Sequence, residues 1–345
     1  QFADLTTVGG TFPTLATLAV PSITDVTFPV DVVYTWVDGS DPAWQEERNR
    51  ALGRSDRTVL TESATADSRF REHDELRYSL RAIERYAPWV NHVWLVTAGQ
   101  VPAWLDESHP GVTVVSHEEI WTPTGTLPTF NSHAIEAHLH RIPGLSEHFL
   151  YLNDDVFFGR ECAPEQFFEA NGIQRLFLSS ALVPDGAPVP GEIASESAGK
   201  NARRLIEDLT GRRLRRKLFH APFALRRSVA EEIVERYRDV VAETTRSVFR
   251  RMSDVTVAGA LHMYYALATG RAVRSRIRYR YLNVQAPDID ERLRRMLTHD
   301  RYDVFCLNDT ADSAEETSAE SSAEVGRRAR DFLEAYFPNV SSYER

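Results

Sequence analysis

Cysteine is nearly absent: Cys162 and Cys306 are the only two in 345 residues. A disulfide scaffold is therefore excluded and a reducing compartment is comfortable. One bridge between them stays open, with two part-buried free thiols as the simpler reading. Long apolar runs are missing as well. No segment reaches the ~20 apolar residues of a membrane-spanning helix, and the mildly apolar stretch 12–30 is broken by Pro13, Pro21, Asp25 and Pro29. That stretch lacks the basic start of a signal peptide. The expectation is a cytoplasmic enzyme, with peripheral attachment to the inner membrane left open. Positive charge is also in deficit. The formal net charge is -10 and the pI about 5.6, which disfavours non-specific binding to nucleic acid. No internal repeat is visible.

The composition, 42% hydrophobic and 26% charged, is that of a globular protein with a substantial core. Short β-rich runs alternate with helical patterns through the first half. Asp31–Val37 empties into the turn-rich Asp38-Gly39-Ser40-Asp41-Pro42. Asp74 is placed as the cap of a helix carrying Leu76, Leu80 and Ile83 at helical spacing and stopped by Pro88. Strands are expected at 92–97, 112–115 and 149–152, with a helix over 132–141. This alternation predicts an α/β fold with a mostly parallel, doubly wound sheet, whose ligands bind at the carboxyl ends of strands. The second half reads as helix-rich: roughly 198–218, 227–237 and 254–269, then a β-like segment at 277–284. The Pro/Gly segment 183–191 is expected to be a flexible loop, extending to about residue 200. An acidic Ser/Ala/Glu linker after Asp312 leads to a last helix ending near Phe337.

Chemistry concentrates in a few motifs. Asn153-Asp154-Asp155 follows an apolar strand, and adjacent carboxylates repel unless something offsets them. A hard divalent cation does so; an Asn/Asp-capped turn is the plain alternative. Asn308-Asp309 follows Val304–Leu307 and would add oxygen ligands to the same ion. His133, Glu136 and His140 share one helical face, a pattern that departs from the His-Glu-x-x-His zinc motif. Glu136 reads better as a site carboxylate. His220 stands between a basic run, Arg212-Arg213-Leu214-Arg215-Arg216-Lys217, and Pro222. It is a general-base candidate or a structural histidine. Arg246, Arg250 and Arg251 are candidates for gripping a diphosphate.

The segments DVVYTWVDGSD (31–41), RFREHDELRYSLRAIERYAPWVNHVWLVTAGQVPAWL (69–105) and LPTFNSHAIEAHLHRIPGLSEHFLYLNDDVFFG (127–159) resemble the first two blocks of the Stealth family. FHAPFALRRS with TTRSVFRRMSDVTVAGALHMYYALATG resembles the third block, and VFCLNDT the fourth. These are hexose-1-phosphate transferases of bacterial capsule synthesis, related to the catalytic subunit of the N-acetylglucosamine-1-phosphotransferase of eukaryotes. The resemblance implies a Rossmann-like, GT-A-type catalytic domain over 31–310, preceded by an extension over 1–30 and followed by the linker and helix over 311–345. It implies a UDP-sugar donor, a carbohydrate acceptor and Mg²⁺ or Mn²⁺. Carried over by motif, the catalytic candidates are Asp31, Glu136, His220 and Arg250. Asp154, Asp155 and Asp309 are the metal candidates, and Asp38, Asn153, Arg246 and Asn308 the substrate-binding ones. The expected activity is transfer of N-acetylglucosamine 1-phosphate with release of UMP. A glycosyltransferase releasing UDP and a non-catalytic carbohydrate- or nucleotide-binding module are the rival readings.

Overall fold

The structure is a computed structural model describing residues 2–7, 10–16, 19–56, 58, 60, 64, 70, 73–299, 301–308 and 322–345. A hairpin of β1 (Phe2–Thr7) and β2 (Gly10–Leu15) opens the chain. The main sheet contains β3 (Val30–Thr35), β4 (Val93–Thr97), β5 (Val112–Ser116), β6 (His148–Asn153) and a later strand, β10 (Phe223–Arg226). Its order is β10-β6-β3-β4-β5; β3, β4, β5 and β6 run parallel and β10 antiparallel. The mostly parallel α/β sheet expected from the sequence is thus present. From β3 the chain steps outward through β4 to β5, then returns to lay β6 on the other side of β3. The order reverses between β3 and β6, and at such a point the connecting loops diverge and leave a crevice at the carboxyl ends of the strands. The register pairs Thr35 with Asn153, so the loop after β3 and the acidic turn after β6 leave the sheet side by side.

Both faces of the sheet are covered, as a parallel sheet requires. Val30, Val32 and Tyr34 face one core, where helix α2 (Glu75–Tyr86) packs Leu76, Leu80 and Ile83 against them. Val33, Val96 and Val115 face a second core with the helices of the later half. The short helix α1 (Pro42–Leu52) precedes α2 and is capped by the Asp41 side chain. Asp74 does precede α2, but its φ of 67° puts it in the left-handed region and its side chain caps nothing. The Glu75 carboxylate turns back instead to accept from the backbone N–H of His73.

After β6 the chain turns directly into β7 (Val156–Phe158). Strand β8 (Gln174–Leu182) and β9 (Arg216–Leu218) pair antiparallel in a small sheet that β11 (Ala272–Ser275) completes. Strands β12 (Tyr279–Asn283) and β13 (Val304–Asn308) run parallel and join β7 in a third sheet. The intervening helices are α3 (His117–Ile120), α4 (Ser132–Glu136), α5 (Ala194–Thr210), α6 (Arg227–Arg236), α7 (Arg238–Arg246), α8 (Ala260–Ala268) and α9 (Ile289–Thr298), followed by α10 (Ser322–Tyr336).

Several boundaries differ from the sequence reading. Helix α4 stops at Glu136, because the His138 ring Nδ1 lies 2.8 Å from the Ala134 carbonyl that a continuing helix would use. The backbone tightens there to an i−3 bond from His138 N–H to Ile135. Helix α5 ends at Thr210, where Gly211 takes a left-handed φ of 64°, so the basic run 212–217 is loop and strand. Segment 183–193 has no regular structure but is contacted by α5, and residues 194–200 are already helical. Arg203 donates to the Val183 and Pro184 carbonyls, and Lys200 to the Ala187 carbonyl and the Glu192 carboxylate. Helix α10 packs into the main core: Phe332, Tyr336 and Phe337 surround Phe305. Cys162 and Cys306 are both buried and free.

Candidate active site

Asp154 and Asp155 occupy the turn between β6 and β7, which is also the seam between the main sheet and the β12-β13-β7 sheet. Strand β13 clamps that turn: the Leu307 N–H donates to the Asp155 carbonyl at 2.9 Å, and Cys306 stands opposite Val156. Cys306 and Asn308 are two residues apart on one strand and so project from the same face. Both reach Asp155, Cys306 Sγ–H donating to its Oδ2 at 3.2 Å and Asn308 Nδ2 to the same oxygen at 3.2 Å.

The other carboxylate oxygen faces His220, whose Nε2 lies 3.1 Å from Asp155 Oδ1. The Asn153 carboxamide approaches the same nitrogen at 3.4 Å. His220 follows β9 and is backed by Phe219, whose ring stacks on Tyr279 of β12 at 4.6 Å. Burial opposes charge on both members of this pair. Their mutual attraction outweighs it, raising the imidazole above its usual range and lowering the Asp155 carboxyl below its own. Asp154 moves the other way, to about 7, because it is buried and lies next to the Asp155 charge.

Glu136, at the end of α4, is buried, and Oε2 finds no hydrogen-bond partner among the described residues. Burial pushes its carboxyl up to about 7, against the pull of Arg250 and His220. Arg250 is held by the Ser132 hydroxyl at 2.5 Å. The crevice therefore gathers Asn153, Asp154, Asp155, His220 and Asn308 by direct contact or adjacency, and Glu136 and Arg250 through the field they exert. Asp38 follows β3 on the crevice side, where Ser40 N–H and Oγ–H donate to its Oδ1 and Gln100 accepts from its N–H.

Two candidates stand elsewhere. Asp31 lies at the amino end of β3, about 13 Å by strand rise from Thr35. Its buried carboxylate is consumed by Asn91 Nδ2, Trp94 Nε1 and the Ser146 N–H at 2.8–2.9 Å; it ties three segments together and faces no crevice. Arg246 is the exposed last residue of α7, with no described contact to the crevice. Asp309 lies outside the described residues. Zinc on His133, Glu136 and His140 gains no support, since Asp155, His220 and Cys306 form the one cluster of three ligand atoms among the described residues. Cys306 is the residue that sequence reading passed over; its signal was the i, i+2 spacing to Asn308 at the end of an apolar strand.

The donors suit a hard divalent cation. Two adjacent carboxylates meet no Lys or Arg ion pair among the described residues, and Asp155 faces the His220 imidazole, which carries charge only when protonated. Oxygen donors from Asp154, Asp155 and the Asn308 carboxamide are the kind such ions take.

Fold and site together define an α/β protein with an acidic crevice, carrying a histidine, at the switch point of a parallel sheet. Models of the four conserved regions of the Stealth proteins match in chain order: region 1 at 28–56, region 2 at 69–176, region 3 at 219–267 and region 4 at 295–345. The chain belongs to the Stealth family. It is 49% identical over 321 residues to an exopolysaccharide phosphotransferase of Streptomyces coelicolor, covering 93% of this chain and 53% of that protein. An exopolysaccharide phosphotransferase of Nocardia farcinica is 40% identical, with 100% and 67% covered. The exopolysaccharide phosphotransferase CpsY of Mycobacterium tuberculosis is 39% identical, with 98% and 62% covered. The chain thus spans between about half and two thirds of these relatives' length. The galactosyltransferase LgtC, solved with donor and acceptor sugar analogs, overlays 88% of this chain and 95% of its own at a TM-score of 0.39 and 12% identity. That likeness is too remote to transfer any residue. No helix among the described residues is long and apolar enough to cross a membrane.

Proposed function

We propose that this chain transfers a hexose 1-phosphate from a UDP-sugar, with N-acetylglucosamine as the sugar, to a hydroxyl of a carbohydrate acceptor. The observation that carries the reading is the Asp155–His220 pair at 3.1 Å, set beside a second, uncompensated carboxylate at the carboxyl end of β6. With Nε2–H donated to Asp155, Nδ1 of His220 is left to take the proton of the attacking hydroxyl, and Asp155 stabilises the imidazolium that results. The acceptor oxygen bonds to the phosphorus bearing the sugar, the bond to the bridging oxygen breaks, and UMP leaves. The bond between the sugar and its phosphate is untouched, so the anomeric configuration is kept.

Phosphoryl transfer of this kind is governed by positioning and charge. Asp154, Asp155 and Asn308 would hold Mg²⁺ or Mn²⁺, which supplies charge neutralisation on the diphosphate when bound. Arg250, positioned by Ser132, supports the negative charge that develops on the phosphoryl oxygens, and the nearby Glu136 carboxyl shares its field. Names of the relatives support the reaction class, and the oxygen-rich turn supports the ion.

The test is incubation with Mg²⁺, UDP-N-acetylglucosamine and a panel of sugar acceptors, followed by identification of the nucleotide released. UMP that disappears with Asp155→Asn supports the reading. UDP would mean that the bond between sugar and phosphate breaks, and would replace it with ordinary glycosyl transfer.

A further inference from the structure

The crevice contains a group that the proposed reaction does not use. The Cys306 thiol is fully buried in β13 yet directed at Asp155. Asp155, His220 and Cys306 each offer one ligand atom, and the three atoms lie within 4.8 Å of one another. Two of the separations are 3.1 Å, Nε2 to Oδ1, and 3.2 Å, Sγ to Oδ2. Tetrahedral zinc, with Zn–N near 2.0 Å and Zn–S near 2.3 Å, needs ligand-to-ligand edges of about 3.3–3.6 Å. These two separations run to different oxygens of one carboxylate, so Asp155 binds through one of them, and the three ligand atoms, now within 4.8 Å of one another, draw in around the ion by side-chain rotation.

The ligands come from three separate stretches of chain, two of them fixed by the β7–β13 ladder and the third by a ring stack. Asp155 is clamped by Leu307 and Cys306 by its pairing with Val156, while His220 is flanked by the Phe219–Tyr279 stack. The His220 side chain is 35% exposed and that of Asp155 17%, so an ion can enter from solvent and keep an open fourth position. One thiolate and one carboxylate neutralise a divalent charge, and a sulfur donor selects a soft ion over Mg²⁺.

We propose that Asp155, His220 and Cys306 form a three-ligand site for Zn²⁺ and other thiophilic divalent ions, distinct in donor set from the oxygen site for the hard ion. Loading releases the thiol proton to solvent, as coordination to such an ion does, and the His220 proton passes through solvent from Nε2 to Nδ1, so that Nε2 presents its lone pair to the ion. If the transfer reading above holds, a loaded site removes His220 and Asp155 from the reaction, so Zn²⁺ acts as an inhibitor that cannot substitute for Mg²⁺.

The whole metal-free chain is titrated with Cd²⁺ while the thiolate-to-cadmium charge-transfer absorption in the ultraviolet is followed. The expected result is a band that saturates at one equivalent. It vanishes in Cys306→Ser, survives in Cys162→Ser, and is displaced by stoichiometric Zn²⁺ but not by a hundredfold excess of Mg²⁺. His220→Gln keeps the thiol and should weaken Cd²⁺ binding at least tenfold. Circular dichroism checks that each variant is folded. A wild-type chain without the band, a band that persists in Cys306→Ser or is lost in Cys162→Ser, or displacement by Mg²⁺ as readily as by Zn²⁺ overturns the assignment. The band is read without donor or acceptor, so failure of sugar-phosphate transfer leaves the result intact.

Discussion

His220 and Asp155 are 65 residues apart in sequence and 3.1 Å apart in space. Residues that work as a unit show non-additive losses. His220→Ala and Asp155→Asn are each expected to lower the rate of UMP release by ~10²–10⁴, the usual cost of losing a positioned acid or base. The double variant should be no slower than the worse single one. Initial rates on all four proteins decide it, and multiplying losses would show that the two act separately.

Metal dependence follows from the carboxylate pair. Dialysis against a chelator is expected to abolish turnover, and Mg²⁺ or Mn²⁺ to restore it. Asp154→Asn should raise the Mg²⁺ concentration needed for half-maximal rate by tenfold or more. Full activity in chelator, read as UMP released, would contradict the assignment.

Glu136 stores strain that can be measured in the free protein. Its folded pKa of about 7 exceeds the ordinary value of 4.5, so the folded state binds the extra proton between those values. Stability therefore falls as pH rises through this window, by roughly 3 kcal/mol in full. Glu136→Gln removes the penalty. Urea unfolding should find the variant more stable than the parent at pH 8 and indistinguishable from it at pH 4.5, while its transfer activity drops.

Buried histidines act with the opposite sign. Burial lowers His117, His138 and His140 to about 4 and His262 to about 3. Each must stay neutral in the folded state while the unfolded chain takes up protons below about 6.5. Stability is lost as pH falls from there toward 4, by roughly 2 kcal/mol per histidine at pH 5. His262→Asn should flatten the plot of unfolding free energy against pH between 6.5 and 4.5 by up to one proton. An unchanged slope would show that His262 is already charged in the fold.

Arg81 and Glu344 close the carboxyl-terminal segment onto α2, with side chains only 3% and 1% exposed. Glu344 is held down at about 2, with the Arg81 and Arg77 guanidiniums and the Ser341 N–H overcoming its burial. Removing Arg81 leaves Glu344 with Arg77 and the Ser341 N–H, so the cost stays below the about 3–5 kcal/mol of a fully stranded buried charge. Arg81→Leu should lose part of that in urea unfolding at pH 7, and adding Arg77→Leu, which strands Glu344, should deepen the loss. The contribution of Glu344 itself is present above pH 4.5 and fades as pH drops toward 2.

The parallel sheet was legible because its strands are short apolar runs closed by turn residues, and such runs have few alternatives once both faces are buried. The acidic turn was legible for the same reason: Asn153 ends β6, and a carboxyl end of a strand near the switch point is where ligands sit. Asp31 shows where this reasoning stops. A motif marks a segment, but only the strand's direction says which end faces the crevice, and Asp31 is at the far one. Helix α5 was overextended because the basic run continued the helical pattern, although Gly211 marked the break. Cys306 was missed because a thiol in an apolar strand reads as core; its role depends on β7 pairing with β13, a contact between segments about 150 residues apart.

That pairing also fixes how the acidic turn can change. Asp154 and Asp155 are the whole of the chain between the last residue of β6 and the first of β7, and both flanking strands are locked in register with partners. One inserted or deleted residue would force β7 to slip against β13, and a slip of one turns every side chain to the opposite face of its sheet. Phe157 and Phe158, both fully buried, would then have no consistent seat. The ladders set the length of this turn independently of the chemistry that its two carboxylates carry.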